Sequence, residues 1–244
     1  MNQIYMTMPT AELLAHTRPK QMGVQYAVTD DAVDIFLYGL IGDEYTGTDS
    51  LTIGRVLADN KGKAVNMRVN SPGGLAYDGV AMFNAIKGHD GHTTGTIEGM
   101  AGSAASLAVI ACDRVRCYQA AVYEPHYSMV MAFGHQADLM EAIEGLKRLD
   151  ADLEQTYADA SGQDIETVKA QLMGPHGDGT RFSAEEALAA GYVDEVIKHG
   201  KKTPTATTTP TTPDAAIQGQ SAAMLRHRFE MTKLEFDRIA AGRS

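Results

Sequence analysis

Three stretches of the chain put residue types where acyl-transfer chemistry needs them. Asn70-Ser71-Pro72-Gly73-Gly74 closes an apolar strand pattern. Paired glycines let backbone N–H groups approach a ligand with no Cβ in the way. Donors fixed there could hold a developing oxyanion. Gly99-Met100-Ala101-Gly102-Ser103-Ala104-Ala105-Ser106-Leu107 joins a strand to a small-residue, apolar helix. A serine in the first turn of such a helix, Ser106, lies in the positive end of the helix dipole, which favours negative charge developing nearby. His126 follows Ser106 by 20 residues. A hydroxyl, an imidazole and backbone donors are the parts of nucleophilic catalysis. Each part alone also has a plainer reading. Pro-Gly-Gly is ordinary turn chemistry, Ser106 would serve as a cap or small packing residue, and a lone histidine is usually structural or exposed.

The elements that must position these residues alternate. Val33–Tyr38 reads as a strand ending at Gly39, and Asp49 or Ser50 caps a helix through Leu51, Val56 and Leu57. Ala64–Val69 is a second strand, and Ala76–Lys87 a helix with Val80, Phe83 and Ile86 on one face. Thr93–Ile97 is a third strand, Gly102–Ala111 a buried helix, and Arg114–Tyr118 and Ala120–Tyr123 are further strands. Short connections between alternating β and α elements predict an α/β fold with its ligand edge at strand C-termini. A long helix follows over Ala137–Ala160. Leu139, Ile143, Leu146, Leu149, Leu153 and Tyr157 recur at spacings of 4, 3, 3, 4 and 4, and the run stops at Ser161-Gly162. A short helix starts near Asp164 with Val168 and Leu172 inward, then a Gly-rich turn covers 174–179. Ser183 and Glu186 form a capping box for a helix ending at Gly191, and Tyr192–Ile197 closes the domain.

The chain has 244 residues, 44% of them apolar, enough for one α/β domain plus an appendage. Net charge is −10, which argues against a nucleic-acid partner. No apolar run is long enough to span a bilayer, and the N-terminus lacks a secretion-signal pattern. Cys112 and Cys117 read as buried small apolar residues, which fits a reducing cytosol. His89 and His92 sit in a Gly/Asp-rich solvent loop, and no metal or cofactor is expected. No phosphate-binding loop is present, so the chain itself is not expected to hydrolyse ATP.

Both ends differ from the centre. Residues 1–30 form a weakly patterned arm in which Thr10 could cap a short helix over Ala11–Thr17. Residues 201–216 are a linker whose 203–213 core holds only Thr, Pro and one Ala. In 217–244, Ser221 caps a helix in which Leu225, Phe229, Thr232, Phe236 and Ile239 recur. That segment carries five bases and three acids and reads as a tethered docking or self-association helix.

The central part, 31–200, resembles the Clp-protease proteolytic subunit family of serine peptidases. The resemblance rests on Ile35-Phe-Leu-Tyr-Gly39, Asn70-Ser-Pro-Gly-Gly74, Tyr77-Asp78, Gly102-Ser-Ala-Ala-Ser106, Phe182-Ser-Ala-Glu-Glu-Ala187 and Gly191-Tyr-Val-Asp194, in that order and spacing. It is nearest the phage and prophage branch of head-maturation proteases, in which the His is followed by a segment like Ala132-Phe-Gly134 and then a long helix. The resemblance implies a ClpP/crotonase-type β/α superhelix, with Ala137–Ala160 as a projecting handle. It implies Ser106 as nucleophile, as the last residue of a Gly-x-Ala-Ala-Ser turn, with Ser103 at the variable position. His126 becomes the general base, and the N–H groups of Gly74 and Leu107 the oxyanion hole. The Pro72-Gly73-Gly74 edge would pair with an extended peptide and read little of its side chains.

Two positions depart from the family pattern. The residue five before Phe182 is Gly177, so the acid that orients His126 falls to Asp178, with Asp164 and Asp150 as fallbacks. Tyr123-Glu124-Pro125 precedes His126 where the family has apolar residues, which keeps His135 as an alternative base. The resemblance implies a homo-oligomeric ring, heptamer or double ring, acting on capsid or scaffold polypeptides in the host cytoplasm or inside an assembling procapsid. Three other readings stand beside it. They are a subunit fed by a Clp ATPase, a catalytically inactive scaffold-binding member, and an acyl-CoA enzyme of the crotonase superfamily, under which Ser106 and His126 have no role.

Overall fold

The computed structural model describes residues 25–42 and 48–198. Eight strands and six helices lie there. The strands are β1 (Gln25–Val28), β2 (Ala32–Ile41), β3 (Ala64–Gly74), β4 (Thr93–Gly102), β5 (Arg114–Tyr118), β6 (Val122–Glu124), β7 (Phe182–Ser183) and β8 (Glu195–Ile197). The helices are α1 (Ser50–Asp59), α2 (Ala76–Lys87), α3 (Ala104–Ile110), α4 (Gln136–Ser161), α5 (Ile165–Met173) and α6 (Ala184–Ala189). The expectations for Thr10–Thr17, for the linker and for the 217–244 helix lie outside the described residues.

Strands β2, β3, β4, β5 and β8 are parallel neighbours, and β1 adds antiparallel to β2 at one edge. β1 was not expected, because Tyr26 and Val28 are exposed and give the arm no buried period. Burial alternates along β2 and β3. Val33, Ile35, Leu37, Val65, Met67 and Val69 enter one core with Ile53, Met82 and Val109 from the helices. The other sheet face is polar and aromatic. Arg68 pairs with Glu98 through Nε at 2.7 Å, and its guanidinium lies 5.3 Å from the Phe36 ring centroid.

Local signals set the helix ends. Asp49 caps α1 through Thr52 N–H, and Asp164 caps α5 through Thr167 N–H. Ser183 and Glu186 close the capping box of α6, and Gly162 ends α4 in the left-handed region at φ 71°. No described helix is long and apolar enough to cross a membrane. Cys112 and Cys117 are free and buried, and burial pushes their thiols up to about 12 and about 11.

One difference from the expected elements decides the site. The third strand does not stop at Ile97. Its last residues, Met100, Ala101 and Gly102, pair with Val122, Tyr123 and Glu124 of β6. The strand-to-helix turn therefore falls on Ser103, and α3 starts at Ala104 rather than Gly102.

Candidate active site

Ser103 is the one non-glycine residue at positive φ among the described residues, with φ 51° and ψ −128°. That conformation costs a side-chain-bearing residue about 1–3 kcal/mol and persists only where neighbours enforce it. Here its N–H donates to Glu124 O at 2.8 Å, and its carbonyl accepts the N–H groups of Ser106 (2.9 Å) and Leu107 (3.3 Å). The Ser103 carbonyl also accepts the Ser106 hydroxyl at 2.6 Å. Gly73 lies against this turn. A Cβ on Gly73 would sit 2.5 Å from Ser103 Cβ and 2.9 Å from Ala104 N. The Pro-Gly-Gly strand end therefore uses its missing side chain to meet the serine turn directly. Gly73 is buried there, while Pro72 and Gly74 are exposed.

Ser103 and His126 line one cavity of about 150 Å³. Its walls include Gly74, Leu75, Val80 and Leu107, with Leu149, Leu153 and Tyr157 from α4. Apart from the polar groups of Ser103, His126, Ser128 and Tyr157, it is an apolar pocket beside a hydroxyl and an imidazole. The Ser128 hydroxyl oxygen is buried without a hydrogen-bond partner.

His126 Nδ1 lies 2.6 Å from Tyr127 O. A carbonyl oxygen can only accept, so Nδ1 carries the proton and Nε2 is left as the acceptor. The 174–179 turn packs against the backbone of this segment at Gly179. Gly174, Gly177 and Gly179 take φ of 62°, 82° and 90°. Gly179 touches the histidine so closely that a Cβ there would lie 2.4 Å from His126 Cβ.

These facts revise several expectations. Ser106 does not line the cavity. It is fully buried inside α3, its one proton goes to Ser103 O, and its oxygen is 2.7 Å from Tyr157 OH. Extension of β4 moved the turn three residues upstream of it. Leu107 N–H is already used within the helix start, so it is not a free oxyanion donor. Gly74 does line the cavity. Asp178 is exposed and is not bonded to His126, and the residue of the turn that meets the histidine is Gly179, against its Cα and Cβ. The fallbacks have other tasks. Asp150 accepts Ser128 N–H at 2.9 Å, and Asp164 caps α5. His135 stands at the N-cap of α4, where its N–H donates to Asp138 at 2.7 Å. His89 and His92 meet Lys63 O (2.9 Å) and Asp113 (3.4 Å).

Ser103 was legible in principle. Gly99-Met-Ala-Gly-Ser103 repeats the Gly-x-small-small-Ser pattern three residues before the stretch that ends at Ser106. Choosing between the two required knowing where the strand ends.

A profile of the Clp protease family matches residues 20–200. Two similar proteins are each an ATP-dependent Clp protease proteolytic subunit. The one from Ligilactobacillus salivarius (strain UCC118) is 28% identical over 148 residues, 59% of this chain and 73% of the relative. The one from Leuconostoc citreum (strain KM20) is 28% identical over 152 residues, 61% of this chain and 74% of the relative.

Proposed function

The chain belongs to the Clp protease family, and from that premise we propose that it is a serine endopeptidase with Ser103 as nucleophile and His126 as general base. The observation that carries this reading is the strained turn at Ser103, set on the cavity that His126 also lines. Strain at a strand-to-helix turn is how other serine hydrolases present their nucleophile. His126 Nε2 takes the Ser103 proton as the oxygen attacks the peptide carbonyl. The oxyanion falls to the N–H groups of Gly74 and Ala104, the latter unpaired at the start of α3. His126 then protonates the leaving amine, and water releases the acyl group by the same steps in reverse.

Tyr127 O holds the His126 tautomer in this scheme, and Asp178, exposed and not bonded to the ring, completes no triad. The apolar walls favour an apolar residue before the cleaved bond. The peptide would lie extended along Pro72-Gly73-Gly74 and Leu75, by strand addition.

Self-association into a ring fits the surface around α4. Met131 and Phe133 are 99% and 102% exposed, and Leu139, Met140 and Ile143 on α4 are exposed beside them in sequence. That much apolar surface suits a subunit contact, with α4 as the handle. Capsid or scaffold polypeptides are the proposed substrates, by resemblance to the phage branch and by the 203–244 tail that could tether the enzyme. The printed names of the two relatives favour a second reading, degradation of proteins delivered by a Clp ATPase. Purified enzyme incubated with cognate head proteins, or with a Clp unfoldase, ATP and an unfolded substrate, separates the two. Cleavage of head proteins without ATP supports maturation, and cleavage only with unfoldase and ATP supports delivery. No cleavage in either assay, nor of a fluorogenic peptide, would contradict the peptidase reading.

A further inference from the structure

The Ser106 hydroxyl and the Tyr157 phenol are buried, and the peptidase scheme uses neither. Ser106 is fully buried and Tyr157 nearly so. Their hydrogen bonds can be assigned a direction. Ser103 O can only accept, so the Ser106 hydroxyl, 2.6 Å away, donates its single proton there. The contact of 2.7 Å between Ser106 Oγ and Tyr157 OH must then run from the phenol to the serine. Burial holds the Tyr157 phenol far above its ordinary range, so it keeps this donor proton at every working pH.

We propose that Tyr157 and Ser106 form a hydroxyl relay that fixes the backbone of Ser103, and so are positioning residues for the nucleophile. This rests on the reading of Ser103 as that nucleophile. The two ends of Ser103 are held differently. Its N–H is tied to Glu124 O of β6, and its carbonyl, whose direction sets ψ, receives the relay. The two helix N–H groups that also reach this carbonyl are what any helix start supplies. The relay is the addition, placed on a residue whose φ of 51° needs enforcement. Tyr157 is itself fixed. Its ring meets Tyr192 edge-on at 6.2 Å, and Tyr192 packs on Tyr123 at 5.0 Å and Phe182 at 5.7 Å. A residue of α4 thereby reaches the reacting serine through a single intervening side chain.

The test uses the full-length protein as wild type, Ser106→Ala, Tyr157→Phe, the double variant and Ser103→Ala. Two quantities are read, the rate of fluorophosphonate labelling mapped to position 103, and kcat and KM on one fluorogenic peptide. Both single variants should lose about tenfold or more in labelling rate and kcat, as misplacement of a reacting group does, with KM within about twofold. The double variant should lose no more than the worse single variant, because both act through one carbonyl. Labelling and kcat within about twofold of wild type in folded variants would overturn the relay, and so would multiplicative losses. If Ser106→Ala does not fold, Tyr157→Phe, which keeps the ring, decides alone. Persistent labelling of Ser103→Ala would sink the choice of nucleophile instead, an outcome distinct from failure of the relay.

Discussion

The two halves of the site are built differently. The half that carries the proposed nucleophile, Ser103, consists of the ends of β3 and β4 and the start of α3. Gly73, Gly102 and all seven residues of α3 are buried, and the Ser103 carbonyl has both backbone and side-chain donors. The histidine half hangs from β6, and His126 is held by one short bond to its neighbour's carbonyl and by the backbone of Gly179. Beyond it the chain emerges through Met129, Met131 and Phe133 into solvent. The first half is fixed by the domain's own core. The second is held through the residues flanking His126: Thr180 N–H donates to Pro125 O (3.3 Å), Tyr127 N–H to Leu172 O (3.3 Å), Tyr127 OH to Glu154 (2.7 Å) and Ser128 N–H to Asp150 (2.9 Å), so its restraint comes from α4, α5 and the end of the Gly-rich turn rather than from the central sheet.

The sharpest break in that comparison is Ser103→Ala, which should lower peptidase turnover about 10⁴-fold or more, against about tenfold to a hundredfold for Ser106→Ala. Steady-state hydrolysis of a fluorogenic peptide checks both. Next comes Gly73→Ala. The new Cβ would collide with Ser103 and Gly73 has φ 97°, so activity should fall about a hundredfold and the melting temperature should drop as well. On the histidine side, backbone should matter more than carboxylate. Gly179→Ala, which drives a methyl at His126, should cost more activity than Asp178→Asn, which should cost less than about tenfold. A triad aspartate would cost about 10⁴-fold, so a loss of that size would restore Asp178 to the triad and show that the two halves rearrange.

The smallest effect lies away from both halves. Asp113 accepts Thr93 N–H at 2.8 Å, and this bond holds its carboxyl below the ordinary range. A depressed folded pKa gives stability that is complete above the unfolded value near 4. That contribution disappears as pH falls through the lower folded value. Thermal unfolding of wild type and Asp113→Asn should therefore converge in acid, with peptidase activity per folded molecule equal at neutral pH.

Much of the fold was legible because its signals are local. Asp49, Asp164, Gly162 and the Ser183/Glu186 box mark helix ends in the sequence, and each acts there. The cavity residues Gly74 and His126 were legible from motif and order. The choice of Ser103 over Ser106 and the surroundings of Asp178 each needed more than motif and order. Which serine occupies the turn depends on β4 continuing to Gly102 to pair with β6, a long-range contact that Gly99-Met-Ala-Gly102 does not advertise. Whether Asp178 reaches the ring depends on glycines 174, 177 and 179, whose left-handed backbones shape a turn that meets the histidine at Gly179.

The most direct test of the account is to map the site of fluorophosphonate modification by peptide mass spectrometry on the assembled wild-type protein. The predicted result is an adduct on Ser103, lost in Ser103→Ala and retained, at a lower rate, in Ser106→Ala. An adduct on Ser106 would contradict the account, because a serine whose proton is bound to Ser103 O inside a buried helix would then have to be the nucleophile.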